Sequence, residues 1–318
     1  MRILVLGAGG TGGYFGGRLA QAGADVTFLV RPARAAQLER DGLRIRSALG
    51  DAQFPVAHVT ADALPALVAQ RAFDLVLVSC KAYDLDGSIE AIAPAVGADT
   101  SVLPILNGLL HYAALDARFG ADHVLGGLCF ISAMKGEDGE VVHLPSPPSM
   151  TFGERDPARN GSARTRALQL VCDGADGFEA LRSERFMQAA WNKFAFLAAL
   201  AAATCLMRAS IGRIVATDGG PAFLGALHDE CLTVARAEGH AIPDDAAAQA
   251  RRLLTQAGST VTASMLRDLE SGQEVEAAQI VGDMRARGRA AGLALPQLDA
   301  AWVHLQAYRM RRETPGTP

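Results

Sequence analysis

Residues 1–31 read MRILVLGAGGTGGYFGGRLAQAGADVTFLVR, and this stretch decides the fold. Arg2 to Leu6 is a short apolar run suited to a strand. Gly7-Ala8-Gly9-Gly10-Thr11-Gly12-Gly13 follows, then a helical pattern over 14–22, Gly23 as its stop, and a second strand over 25–30. A strand, a glycine turn, a helix and a strand within about 30 residues form the βαβ unit that gives a G-x-G-x-x-G pattern its meaning. Gly7 allows the tight turn, Gly9 lets the backbone approach a pyrophosphate, and Gly12 lets the helix pack close to the strand. The helix start offers unpaired N–H groups and the positive end of its dipole to phosphate. Gly7, Ala8, Gly9, Gly10, Thr11 and Gly12 are therefore candidate dinucleotide-binding residues.

The end of the second strand bears on cofactor choice. An NAD site places an acid there to accept from the ribose 2′-OH. Here the strand ends Leu29-Val30-Arg31, with Arg34 close behind and no acid available. The guanidinium fork of Arg31 suits a 2′-phosphate, which favours NADPH/NADP+ over NAD(H). Strand–helix alternation continues with apolar strands over 74–79 and 101–106. Lys81 and Asn107 follow their C-terminal ends, where ligands of such sheets bind. Residues 123–143 read as two strands joined through the turn-rich 135–139, and 163–172 as another helix.

Beyond residue 182 the β-rich pattern stops. Helices are expected over 185–207, 222–238, 246–256, 262–270, 274–291 and 298–312, with residues 314–318 as a frayed tail. The expected architecture is an α/β Rossmann dinucleotide-binding domain (1–182) followed by an all-α domain (183–318), with the active site in the cleft between them. Within the first of these helices, Lys193 stands alone in WNKFAFLAAL. A charge in an apolar helix either snorkels to water or serves a site. A cleft ammonium can stabilise the oxyanion that forms when hydride reaches a ketone, and can supply its proton. Such a lysine calls for a carboxylate partner, and Glu270, Glu274 and Glu276 are all candidates on pattern alone.

Composition excludes other classes. With 50% apolar and 20% charged residues and a net charge of −4, the chain is neither disordered nor a general nucleic-acid binder. The five cysteines form no C-x-x-C pair and the seven histidines no H-x-x-x-H or H-E-x-x-H, so neither a disulfide framework nor a metal site is expected. The apolar run over 194–207 is too short to cross a bilayer and reads as a buried helix. The N-terminal run is a strand long and ends in glycines, unlike a signal peptide. No membrane partner and a cytoplasmic location are expected.

Taken together, Gly7/Gly9/Gly12, Arg31, Cys80-Lys81-Ala82, Leu106-Asn107-Gly108, Trp191-Asn192-Lys193 and Ser264-Met265-Leu266-Arg267-Asp268 followed by Glu276 and Gly282 resemble the ketopantoate reductase (2-dehydropantoate 2-reductase) family over nearly the whole chain. The resemblance implies NADPH-dependent reduction of a 2-oxo acid to a 2-hydroxy acid, the family's step in pantothenate biosynthesis, on a two-domain plan like that of 6-phosphogluconate dehydrogenase. It implies that Lys193 is the general acid and that Glu276 binds the substrate's hydroxyl end. Ser264 would contact the substrate carboxylate, and Asn107 both nicotinamide and substrate. Arg31 and Lys81 would lie around the adenosine 2′-phosphate.

The chain also departs from the family. Where well-known members carry two asparagines one and two turns beyond the lysine, this chain has Leu197 and Ala201. Around the glutamate, TEID becomes Val275-Glu276-Ala277-Ala278. Three polar positions have become apolar, which points to a less polar 2-oxo acid or ketone than ketopantoate. Two other readings compete: an NADPH-binding sensor without turnover, and an imine or amino-acid-linked dehydrogenase. Helical second domains of this kind occur in monomers and dimers, so a homodimer stands among the expected assemblies.

Overall fold

The computed structural model describes residues 1–313, so the expected tail over 314–318 lies outside the described residues. The chain divides into two compact units, one of 1–106 and 111–186, the other of 107–110 and the residues from Met187 onward.

The first unit contains β1 (Arg2–Leu6), α1 (Gly10–Gln21), β2 (Asp25–Leu29), α2 (Pro32–Asp41), β3 (Leu43–Arg46), β4 (Ala52–Phe54), β5 (Ala57–Val59), α3 (Leu64–Gln70) and β6 (Leu75–Val78). It continues with α4 (Leu85–Ile92), β7 (Ser101–Pro104), α5 (His111–Phe119), β8 (Gly126–Phe130), β9 (Ala133–Lys135), β10 (Val141–His143), β11 (Ser149–Gly153), α6 (Ala163–Asp173) and β12 (Glu179–Arg182).

Five parallel strands in the order β5-β2-β1-β6-β7 form the central sheet. Ile3 pairs in register with Val26 on one side and Leu75 on the other. The chain winds one way from β1 to β2 and β5, then the other way to β6 and β7. The end of β1 is thus the switch point where a doubly wound sheet binds its ligand. Ile3, Val5, Phe15, Phe28, Leu77 and Leu103 share one buried core. The apolar strand runs reflect burial on both sheet faces.

Residues 123–143 differ from the two-strand expectation. Three strands form: β8 joins β11 and β12 in one small sheet, whereas β9 and β10 join β3 and β4 in another. The 136–140 turn links β9 to β10, and the break at Ile131-Ser132 carries the chain from one sheet to the other.

The second unit holds α7 (Phe186–Met207), α8 (Ile211–Val215), α9 (Gly220–Ala237), α10 (Asp244–Leu254), α11 (Ser264–Glu270), α12 (Asp283–Ala290) and α13 (Pro296–Glu313). By length and composition α7 is long and apolar enough to cross a membrane, but 67% of its most apolar window is buried inside the protein. Trp191, Phe194, Ala195, Ala198, Ala201 and Cys205 are all buried, as in a helix surrounded by protein. The expected single helix over 274–291 is instead a π-type turn, Ala278–Gly282, running into α12. The short α8 has no signature in the sequence, because five residues carry too little periodicity to announce a helix.

Candidate active site

The glycine loop sits at the end of β1. Gly7 has φ +83°, a left-handed conformation that favours glycine, and its N–H donates to the Leu29 carbonyl at 2.8 Å. A Cβ on Gly12 would strike Ser79 Oγ and lie 2.7 Å from the Gly7 oxygen, so this glycine lets α1 approach β6. Gly10 faces the β9 backbone, with the Ala133 oxygen 2.7 Å from where a Cβ would be. Gly9 differs from both: a Cβ there would meet nothing within 4 Å. Packing therefore does not require Gly9, whose bareness leaves the start of α1 open. That start has neither a side-chain cap nor an acidic residue in its first turn. Its first N–H groups have no partner within the helix and suit an anion, so the loop fits a dinucleotide pyrophosphate.

Arg31 is the last residue before α2 and is 86% exposed; its Nη2 lies 3.4 Å from Asp84 Oδ1. Lys81 is half-buried just after β6, at the start of the short 3₁₀ turn Ala82–Asp84. Arg34 was noted in the sequence only for its nearness to Arg31. Its Nε donates to the Ala8 carbonyl at 3.2 Å, so it braces the glycine loop from α2. Burial and the neighbouring Arg44 hold its guanidinium below the usual arginine range.

A second group of residues lies in the helical unit. Lys193 Nζ donates to Asn107 Oδ1 at 3.1 Å, joining two predicted site residues that are 86 positions apart. Asn107 is followed by Gly108, whose φ is +76° and whose Cβ would overlap the Gln279 carbonyl oxygen. The Asn107-Gly108 turn therefore rests directly on the π-type turn, three residues beyond Glu276. Burial separates the three candidate glutamates: Glu276 is 6% exposed, whereas Glu270 and Glu274 are exposed. The π-type geometry, a feature enriched at functional sites, begins just after Glu276.

Ser264 opens α11 and is half-buried. Its position is tied to α7 through Thr204, which accepts from the Ala263 N–H at 3.4 Å and donates to the Leu200 carbonyl at 2.7 Å. Leu197, one turn beyond Lys193, is half-buried, and Ala201 is wholly buried. The α7 face beyond the lysine is thus apolar.

Behind Lys193, Trp191 stacks on His240 at 5.4 Å between ring centroids, and Arg287 lies 5.5 Å from the Trp191 ring centroid. Arg287 in turn donates to Asp283 at 3.0 Å and to Glu238 at 2.6 Å. Burial pushes the Asp283 carboxyl above its usual range, against the pull of Arg287. This network anchors α7 to α12 and was not legible in the sequence, because its members are scattered from 191 to 287.

A family model described as ketopantoate reductase PanE/ApbA matches residues 3–157, and its C-terminal companion matches residues 185–309. The chain belongs to the ketopantoate reductase PanE/ApbA family. It is 37% identical over 314 residues to the uncharacterized oxidoreductase YkpB of Bacillus subtilis, covering 98% of this chain and 100% of that protein. Its fold is similar to the crystal structure of 2-dehydropantoate 2-reductase from Methylococcus capsulatus, with TM-score 0.86, 27% identity and 99% of both chains covered. It is also similar in fold to D-mandelate dehydrogenase, solved with NADH and anilino(oxo)acetate, with TM-score 0.85 and 19% identity over 99% of this chain and 100% of that one. The ketopantoate reductase family is one of oxidoreductases with a parallel α/β first domain and a helical second domain, the architecture described above.

Proposed function

We propose that this member of the family is an NADP(H)-dependent reductase of a 2-oxo acid or related ketone, with Lys193 as proton donor. The hydrogen bond from Lys193 to Asn107 carries the reading. An ammonium held by an amide oxygen inside a largely apolar helix is otherwise hard to explain. When bound, a reduced nicotinamide supplies hydride to the substrate carbonyl carbon. Lys193 stabilises the negative charge that develops on the carbonyl oxygen and then gives it a proton. Asn107 Oδ1 favours the charged lysine and fixes its direction. Glu276 orients the lysine or the substrate hydroxyl, and Ser264 contacts the substrate carboxylate.

The open glycine loop, Arg31 and Lys81 support binding of the dinucleotide, and Arg31 supports the choice of a 2′-phosphate. The apolar, half-buried Leu197 one turn beyond Lys193 supports a substrate less polar than ketopantoate, whereas the wholly buried Ala201 serves packing. The substrate is a small molecule of the cytoplasm.

The test is a panel of branched, aromatic and hydroxylated 2-oxo acids, ketopantoate among them, assayed for NADPH oxidation. The expected result is turnover favouring the apolar members. Ordinary efficiency with ketopantoate would remove the apolar preference. Tight NADPH binding without turnover of any member would remove the enzymatic reading.

A further inference from the structure

Arg31 and Asp84 meet although 53 residues separate them in sequence. Arg31 follows β2 and Asp84 follows β6, the two strands that flank β1 in the sheet. The acid that an NAD site would carry at the end of β2 is absent, but a carboxylate from beyond β6 lies 3.4 Å from the Arg31 guanidinium. We propose that Arg31 and Asp84 form a separable pair that lets this site accept NADH as well as NADPH. The inference rests on the reading that the glycine loop holds a nicotinamide dinucleotide.

While Asp84 holds Nη2, Arg31 cannot offer the whole of its fork to a 2′-phosphate, and the two anions compete for it. NADPH therefore breaks the pair and leaves Asp84 facing a dianion. NADH brings a ribose 2′-OH in place of that phosphate, and a carboxylate accepts from such a hydroxyl. The pair is open enough to exchange partners, since Arg31 is 86% and Asp84 46% exposed. Asp84 caps no N–H with its side chain, so replacing it leaves α4 intact. Its like-charge repulsion toward a 2′-phosphate dianion held by Arg31 in a solvated setting corresponds to roughly tenfold in affinity.

Calorimetric titration with 2′,5′-ADP and 5′-AMP reads this preference without turnover, and NADPH and NADH fluorescence titrations repeat it with the whole cofactors. For Asp84→Asn the expected result is about tenfold tighter binding of 2′,5′-ADP and NADPH, with NADH binding unchanged or weaker. Arg31→Ala should weaken the two 2′-phosphorylated ligands, 2′,5′-ADP and NADPH, at least tenfold and leave NADH within about twofold. An Asp84→Asn protein whose NADPH-to-NADH affinity ratio stays within about twofold of the parent overturns the pair while leaving the reductase reading intact. Failure of the parent protein to bind any of the four ligands overturns both.

Discussion

Gly108→Ala reaches the site through backbone geometry alone. Gly108 has φ +76°, and an added Cβ would overlap the Gln279 carbonyl oxygen and lie 3.1 Å from Gln279 Cγ. Holding a non-glycine residue in the left-handed region costs about 1–2 kcal/mol, and overpacking against a neighbour adds roughly 1–3 kcal/mol. The chain can relieve the overlap by moving the Asn107-Gly108 turn or the π-type turn. Either movement disturbs the Lys193–Asn107 hydrogen bond or the backbone just after Glu276. Misplacing a catalytic group by about 1 Å costs on the order of 10²-fold in rate. We expect Gly108→Ala to lower unfolding free energy by about 2–5 kcal/mol and kcat by roughly 10–100-fold. Affinity for 2′,5′-ADP should be unchanged, because the glycine loop, Arg31 and Lys81 belong to the other compact unit. Urea unfolding followed by tryptophan fluorescence reports on the affected unit, since Trp191 and Trp302 both lie in it. A loss below about 1 kcal/mol together with kcat within about twofold of the parent would mean that the turn accommodates a side chain at position 108 without disturbing the site.

Two further perturbations test the physical account of the second unit. His228 is 1% exposed, its Nδ1 has no hydrogen-bond partner among the described residues, and burial lowers its pKa from 6.5 to about 4. A lowered folded-state pKa gives stability that is full above pH 6.5 and lost as pH falls toward 4, by up to about 3 kcal/mol, and His228→Gln should remove this slope from unfolding measured between those pH values. Arg208 closes α7 at φ +51°, with the Ala209 N–H bonded to the Thr204 carbonyl, the position where a helix end favours glycine. Arg208→Gly should raise unfolding free energy by about 0.5–1 kcal/mol in the same denaturation assay.

The parts legible in the sequence are those set by neighbouring residues. The β1–glycine loop–α1–β2 unit is contiguous, and its glycines announce the turn. Lys193 stands out because it is the one charged residue in α7, a largely apolar helix. The strands over 43–59 were missed because three or four part-buried residues carry almost no periodicity, and β3 finds its partner β10 nearly a hundred residues away. The π-type turn lies against Gly108, far away in the sequence, and the bracing of Ala8 by Arg34 depends on how α2 lies against the loop. Local pattern does not separate Glu276 from Glu270 and Glu274; the family resemblance singles it out, and it is the buried one of the three. In each case the missing information is a contact between distant residues, which no local pattern encodes.

The central claim is that Lys193 donates the proton to the developing oxyanion. The direct test is Lys193→Met, assayed for single-turnover reduction of the best substrate in the panel, with NADPH affinity measured separately by fluorescence titration. The account predicts a rate lower by about 10²–10⁴-fold with NADPH affinity unchanged. A variant that binds NADPH and reduces substrate at the parent rate would contradict it.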